Sequence, residues 1–241
     1  LGWILLTAPV FTAYTSEGIA EEPLRKVPMI MRDFLPSPTD TLKGFLQMYF
    51  DFGLVSSIWA STQRILVAFS LSVAVALPLG ILMGAFTPIQ AALDPIFAPL
   101  RYMPITAFIP LLILWFGIYE QQKIAFLFLG TFVFLLPVVV TAIRAVPEEL
   151  IQTALTLGAG RWQILRTVLI PYALPEIFDS FRVMNAIAWT YVILAEVINA
   201  PQGLGYMLEQ ARTKQKPEWL FAGLVVIAFI GHLSDWAIRF S

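Results

Sequence analysis

Four stretches of this sequence, 1–16, 65–86, 102–119 and 124–143, contain no Asp, Glu, Lys, Arg or His. A helix needs about 20 such residues to cross the hydrocarbon core, because every backbone N–H and C=O must be satisfied within the segment. Two later stretches, 183–195 and 219–231, reach that length if a polar residue or two is tolerated at each end. The pattern predicts an all-α, polytopic bundle of about six membrane helices, with the whole chain, 1–241, forming one transmembrane domain. The opening stretch reads as a membrane helix rather than a cleaved signal.

Composition narrows the function. Charged residues are 13% of the chain and mean hydropathy is +0.79, whereas soluble domains carry about 25% charge. A chain of 241 residues so committed to lipid leaves no room for a separate soluble catalytic domain. A net charge of −1 points to no nucleic-acid partner, and a single His with no Cys offers no metal-ligand set.

Between these spans lie three informative segments. Residues 17–61 are the longest polar stretch, and within them 39–61 sets Leu42, Phe45, Leu46, Tyr49 and Phe50 at helical spacing, predicting a helix on the membrane surface. Pro95, Pro99, Pro104 and Pro110 argue against a straight helix before about Thr106, and the irregular backbone they imply is tolerated at membrane depth only beside protein or a water-filled cavity. Pro147-Glu148-Glu149 is a good helix start, and Leu150, Ile151, Ala154 and Leu157 then share a face. Gly158 stops that helix, and Trp162, Leu165, Val168 and Leu169 begin a second apolar face. Two short helices about a glycine turn, outside the bilayer, make a docking knob.

Residues 152–171 read Gln-Thr-Ala-Leu-Thr-Leu-Gly-Ala-Gly-Arg-Trp-Gln-Ile-Leu-Arg-Thr-Val-Leu-Ile-Pro. This resembles the signature of ABC importer permeases: Glu-Ala-Ala, three residues, Gly, nine residues, then Ile-x-Leu-Pro. Ala154, Gly158 and Pro171 fall in register, while Gln152 and Thr153 replace the usual Glu and Ala. Leu35-Pro36-Ser37-Pro38, Leu93-Asp94-Pro95, Arg101-Tyr102-Met103-Pro104, Leu114-Trp115-Phe116-Gly117-Ile118 and Gly203-Leu204-Gly205-Tyr206 look like the nitrate, sulfonate and taurine branch of that family.

The resemblance implies the type I importer permease fold, with six helices per subunit in a bacterial plasma membrane. It also implies a second permease subunit, identical or closely homologous, two cytoplasmic ATPase subunits and an external solute-binding protein. No G-x-x-x-x-G-K-[ST] phosphate loop occurs, so the ATPase must be another chain, and neither a catalytic residue nor a cofactor is implied here. Residues 147–171 would be the cytoplasmic coupling segment, with Gln152, Ala154, Leu157, Gly158, Arg161 and Pro171 at the ATPase contact, and 17–61 would be external. That orientation puts Arg101, Arg144, Arg161, Arg166 and Arg239 inside but Arg25, Lys26, Arg32, Lys43, Lys123, Arg212, Lys214 and Lys216 outside, so the positive-inside rule runs against it. The branch implies a small oxyanion such as nitrate, a sulfonate, taurine or bicarbonate as solute. A neutral heterocycle such as a thiamine-precursor pyrimidine is the alternative, followed by a membrane enzyme or a non-transporting anchor.

Charged and amide side chains at membrane depth are the candidates for a solute path. Arg64 and Glu196 fall at similar depth and read either as path residues or as a structural ion pair. Asn185, with Trp189 and Thr190 in the next turn, reads either as path lining or as helix-to-helix hydrogen bonding. His232, beside Ser234 and Asp235, reads as interfacial. Trp3, Trp59, Trp115, Trp189, Trp219 and Trp236 read mostly as a membrane belt.

Overall fold

Small residues in the second apolar stretch decide how the bundle assembles. In the computed structural model, which describes residues 36–198 and 200–239, helix α1 is Pro38–Asp51 and α2 is Leu54–Ala85. Along α2 the buried positions include Ser57, Ser61, Ala68, Ser72, Ala76 and Gly80, recurring close to every fourth residue. That spacing makes one narrow face on which another helix can lie close. The helix received there is α5, Glu120–Arg144. A Cβ at Gly80 would stand 2.7 Å from Val139 Cβ, and one at Gly84 2.7 Å from Ile143 Cβ. Ser72 Oγ donates to the Phe128 carbonyl at 3.1 Å. Since partner numbers rise together along both helices, α2 and α5 run parallel.

Parallel neighbours require the chain to recross between them. Two helices make that return, α3 (Thr87–Leu100) and α4 (Ile109–Phe116), the latter preceded by a 3₁₀ turn over Ile105–Phe108. They are bent by 89° about residues 101–104. The sequence reading denied a straight helix before Thr106, yet α3 incorporates both Pro95 and Pro99. Each proline forfeits one backbone bond but brings a helical φ, and both are exposed. The break comes instead where Pro104 bars its predecessor, Met103, from the helical region.

Helices α7 (Arg161–Val197) and α9 (Pro217–Arg239) complete the set. Among the described residues four helices are long and apolar enough to cross a membrane, or five if the bent pair counts as one span. The sixth expected crossing, 1–16, lies outside the described residues, as does 17–35. Helix α5 is the centre: 56% of its apolar window is buried, against 17% for α9.

The surface helix expected over 39–61 is shorter, because Gly53, at φ 63°, ends α1, and residues 54–61 are the first turns of α2. Ser37 caps α1 by accepting from the Asp40 N–H at 3.2 Å. Gly44 and Met48 bury one face of α1 against the start of α9, where Trp219 Nε1 donates to Gln47 Oε1 at 2.8 Å. Leu42, Phe45, Leu46, Tyr49 and Phe50 all point outward. At the same end of the bundle sit the starts of α2 and α5, the end of α7, and the short helix α8, Leu204–Thr213.

Candidate functional site

The opposite end carries the segment with the family-like signature. Helix α6, Glu148–Thr156, opens with two acidic residues in its first turn, which favours the positive end of the helix. It closes on Gly158 at φ 85°. There the Gly158 N–H donates to the Leu155 carbonyl at 2.9 Å and the Ala159 N–H to the Ala154 carbonyl at 3.0 Å, the paired bonds of a Schellman cap. Gly160, at φ −75°, then starts α7.

The two-helix knob needs one correction. Its second helix is no separate element: Arg161–Ile164 passes through a π turn at Leu165–Leu169 into the span itself. The wider turn falls next to Pro171, which withdraws an N–H from the ladder. So Pro171 and Arg161 belong to α7, and only α6 and its glycine turn stand apart.

Burial sorts the signature residues. Ile151 and Ala154 are half-buried against the core, whereas Gln152, Gly158, Arg161 and Pro171 are exposed. Leu157 is 83% exposed, and Leu155 and Trp162, not among the predicted contact residues, are exposed beside it. Leu150, Ala154, Leu157, Val168, Pro171 and Tyr172 line an open apolar groove of roughly 610 Å³. Leu155, Leu157 and Trp162 thus leave an exposed apolar patch on and beside a short helix that opens with two acidic residues.

At the far end, Arg64 and Glu196 do meet, at 2.7 Å, in a larger buried cluster. Arg64 Nε and Nη2 also donate to the two Glu120 oxygens at 2.6 and 2.8 Å, and Nη1 donates to the Gln202 carbonyl at 2.7 Å. Glu196 Oε1 accepts from Ser61 Oγ at 2.7 Å, and Oε2 accepts from the Gly205 N–H at 2.8 Å. Ser61 Oγ in turn accepts from the Leu204 N–H at 2.9 Å. A Cβ at Gly203 would fall 2.4 Å from the Glu196 carboxyl carbon, so only glycine fits there. Four segments, α2, α5, α7 and the turn into α8, are thus tied by satisfied charges, as burial demands.

Sequence reasoning missed Ser61, Glu120 and Lys123. Lys123, assigned to an outer loop, is buried, and its Nζ donates to the carbonyls of Ile118 and Tyr119 at 3.2 and 3.4 Å. Its one visible signal was a position a single turn after Glu120, at the mouth of an apolar block.

The middle candidates are placed by their bonds. Asn185 Nδ2 and Trp189 Nε1 both donate to Ser234 Oγ at 2.9 Å, joining α7 to α9, while Thr190 is exposed and bonds back to Ala186. One turn away, Arg182 makes a two-point pair with Asp235 at 2.9 Å. Trp189 and Trp219 are interior residues rather than belt, whereas Trp59, Trp115 and Trp236 are exposed. Trp3 lies outside the described residues. His232 is exposed. Among the described residues no group of His, Asp or Glu could hold a metal.

Comparison with known proteins matches this geometry. One solved chain, from inward-facing conformations of the MetNI methionine ABC transporter, superposes with a TM-score of 0.68 at 23% identity, covering 77% of this chain and 93% of that one. The bundle is therefore the type I importer permease fold. In sequence, the chain is 35% identical to the taurine transport system permease protein TauC of Escherichia coli (strain K12), over 86% of this chain and 77% of that protein. It is 33% identical to the putative aliphatic sulfonates transport permease protein SsuC of Bacillus subtilis (strain 168), over 85% and 74% respectively. Residues 76–241 match the model of the binding-protein-dependent transport system inner membrane component.

The fold and the exposed elbow thus define a class: a multi-pass membrane permease subunit of an ATP-driven importer, not an enzyme. The chain belongs to the binding-protein-dependent transport inner membrane component family, whose members work with an ATPase and a substrate-binding protein.

Proposed function

We propose that this chain carries a small sulfonate, or a related oxyanion, across a bacterial plasma membrane. It works there as one of two permease subunits, with a second copy or a close homologue, two cytoplasmic ATPase subunits and an external binding protein. The sulfonate reading is supported by relatives in taurine and aliphatic sulfonate transport at 35% and 33% identity. The observation that carries the mechanism is the elbow at Gly158, with Leu155, Leu157 and Trp162 exposed around it.

Helix α6 seats in a groove of the ATPase, with Gln152, Leu157 and Arg161 at the contact and Ala154 packed behind. Closure of the two ATPases on ATP moves the elbow, and the bundle rocks as rigid bodies between outward and inward access. In this reading 147–160 and Arg239 are cytoplasmic, and α1 with α8 is external, its outward Leu42, Phe45 and Tyr49 lying against lipid. Arg64 and Glu196 anchor the external ends of the helices rather than contacting solute. Asn185 and Trp189 hold α7 on α9, and Thr190 faces outward from it.

Proteoliposomes containing the chain, its ATPase and its binding protein test this reading. Uptake of labelled taurine or an alkanesulfonate is expected only when ATP and the loaded binding protein are both present. Uptake that persists without the ATPase refutes it.

A further inference from the structure

The least explained charged residue on the described part of the chain is Arg101. The topology deduced for the resembling family sets it on the inner loop, yet its surroundings are otherwise. It lines a cavity of roughly 140 Å³ together with Phe132, Val133 and Leu136. These residues lie about the midpoint of the α5 span, Glu120–Arg144, and the cavity continues past Pro137 and Val140 to Thr141, three residues from its end. Phe97, one turn before Arg101, packs its ring 5.6 Å from that of Phe132. Arg101 is therefore level with the α5 span, at the break between α3 and α4.

Broken backbone and an arginine at that depth are tolerated where protein or water surrounds them. Arg101 makes no hydrogen bond or ion pair with another described residue and is exposed.

The same cavity holds Gln90 and Asp94, both half-buried, with Gln90 Nε2 donating to Asp94 Oδ2 at 3.0 Å. Positions 90, 94, 98 and 101 share one stripe of α3. Asp94 and Arg101 are two turns apart, about 10.5 Å along the axis, and both line the cavity. An acceptor and a two-point cationic donor thus line one small cavity, with Phe97, Phe132 and Val133 among its apolar residues. That arrangement fits a short solute carrying opposite charges at its ends.

We propose that this cavity is a solute-binding site on the transport path, and that it is built for a small aminosulfonate. Arg101 takes the sulfonate through its planar guanidinium, and Asp94, oriented by Gln90, takes the ammonium. The inference rests on the sulfonate reading above and adds a zwitterionic substrate class and the residues that read it.

Equilibrium binding of labelled taurine to the purified permease–ATPase complex, with ethanesulfonate as competitor, reads the site without the binding protein. Ethanesulfonate has the anionic end and lacks the amine. Arg101→Gln is expected to weaken both ligands by about tenfold to a hundredfold, the effect of losing a charge-assisted contact, and Arg101→Lys to recover part of the loss. Asp94→Asn is expected to shift the taurine-to-ethanesulfonate affinity ratio by about tenfold. A packing role for Asp94 lowers both affinities alike. An unmoved ratio, or wild-type complex that binds neither ligand saturably, overturns the site. Wild-type proteoliposomes that import taurine while the complex fails to bind it refute the site alone, whereas absence of any sulfonate import refutes the sulfonate reading and the site with it.

Discussion

Glu196 cannot be replaced by its own amide without loss, and the reason is a count of acceptors. One carboxyl oxygen receives Ser61 and Arg64, both at 2.7 Å, and the other receives the Gly205 N–H at 2.8 Å. Glutamine offers one oxygen, so in either orientation its NH₂ meets a donor. A buried donor left unmet costs about 1–3 kcal/mol, and that is the expected effect of Glu196→Gln. Glu120 is 48% exposed at its side chain, so Glu120→Gln alone is expected to cost about 0–1 kcal/mol. Each single change leaves Arg64, 7% exposed, with one carboxylate. The double change leaves it with none, and an uncompensated buried charge costs about 3–5 kcal/mol. The double variant is therefore expected to exceed the sum of the singles by about 1 kcal/mol or more. Unfolding free energies in bicelles measure the cycle. The chain has no cysteine, so Ala200→Cys, at a buried position of the same turn, reports its opening on each background by maleimide labelling rate. Additivity within about 0.5 kcal/mol, with unchanged labelling, refutes the cluster as a coupled unit.

Three further outcomes are expected. Gly158→Leu meets open space but a backbone at φ 85°, so it costs about 1–2 kcal/mol in the cap and is expected to weaken ATPase docking and uptake. Gly160→Ser, at φ −75°, is expected to leave both intact, and equal behaviour of the two variants in ATPase pull-down and uptake removes the elbow from the mechanism. Gly84→Leu forces atoms into Ile143 and is expected to lower bundle stability by about 1–3 kcal/mol, partly restored by Ile143→Ala, as thermal unfolding checks. On α8, Arg212 holds the Glu209 carboxyl below its usual range. A depressed carboxylate contributes above the unfolded pKa and loses that contribution as pH falls through the native one. Hydrogen exchange across α8 is expected to be flat from pH 7 to about 5, after correction for intrinsic rates, and to rise below about 4.

The all-α membrane fold was legible because lipid imposes a length and a composition that water does not. The stop at Gly158 was legible because a left-handed cap favours one residue type. What escaped were features set by a neighbour across the bundle. Lys123 reads as a loop cation until the carbonyls of Ile118 and Tyr119 turn back on it. Arg101 reads as a loop end unless one knows that Pro95 and Pro99 remain inside a helix, which carries it to the level of Phe132. Arg64 and Glu196 were set at similar depth and left as path residues or an ion pair, which the 2.7 Å contact shows them to form, whereas Glu120, the second carboxylate, begins α5 with no pattern to mark it. Asn185 left two readings open, and only the position of Ser234 on another helix shows where its amide is spent.

The fusion of the elbow's second half to α7 has a mechanical meaning. Arg161–Val197 is 37 residues, so one rod about 55 Å long runs from beside the glycine turn to Glu196. If the rod turns as a lever pivoted at its far end, a tilt of about 5° at the inner tip sweeps roughly 5 Å, comparable to a single helical turn. The pivot is then the Arg64–Glu196 clasp itself, so stiffness at that end of the bundle sets how far a push at the glycine turn can travel.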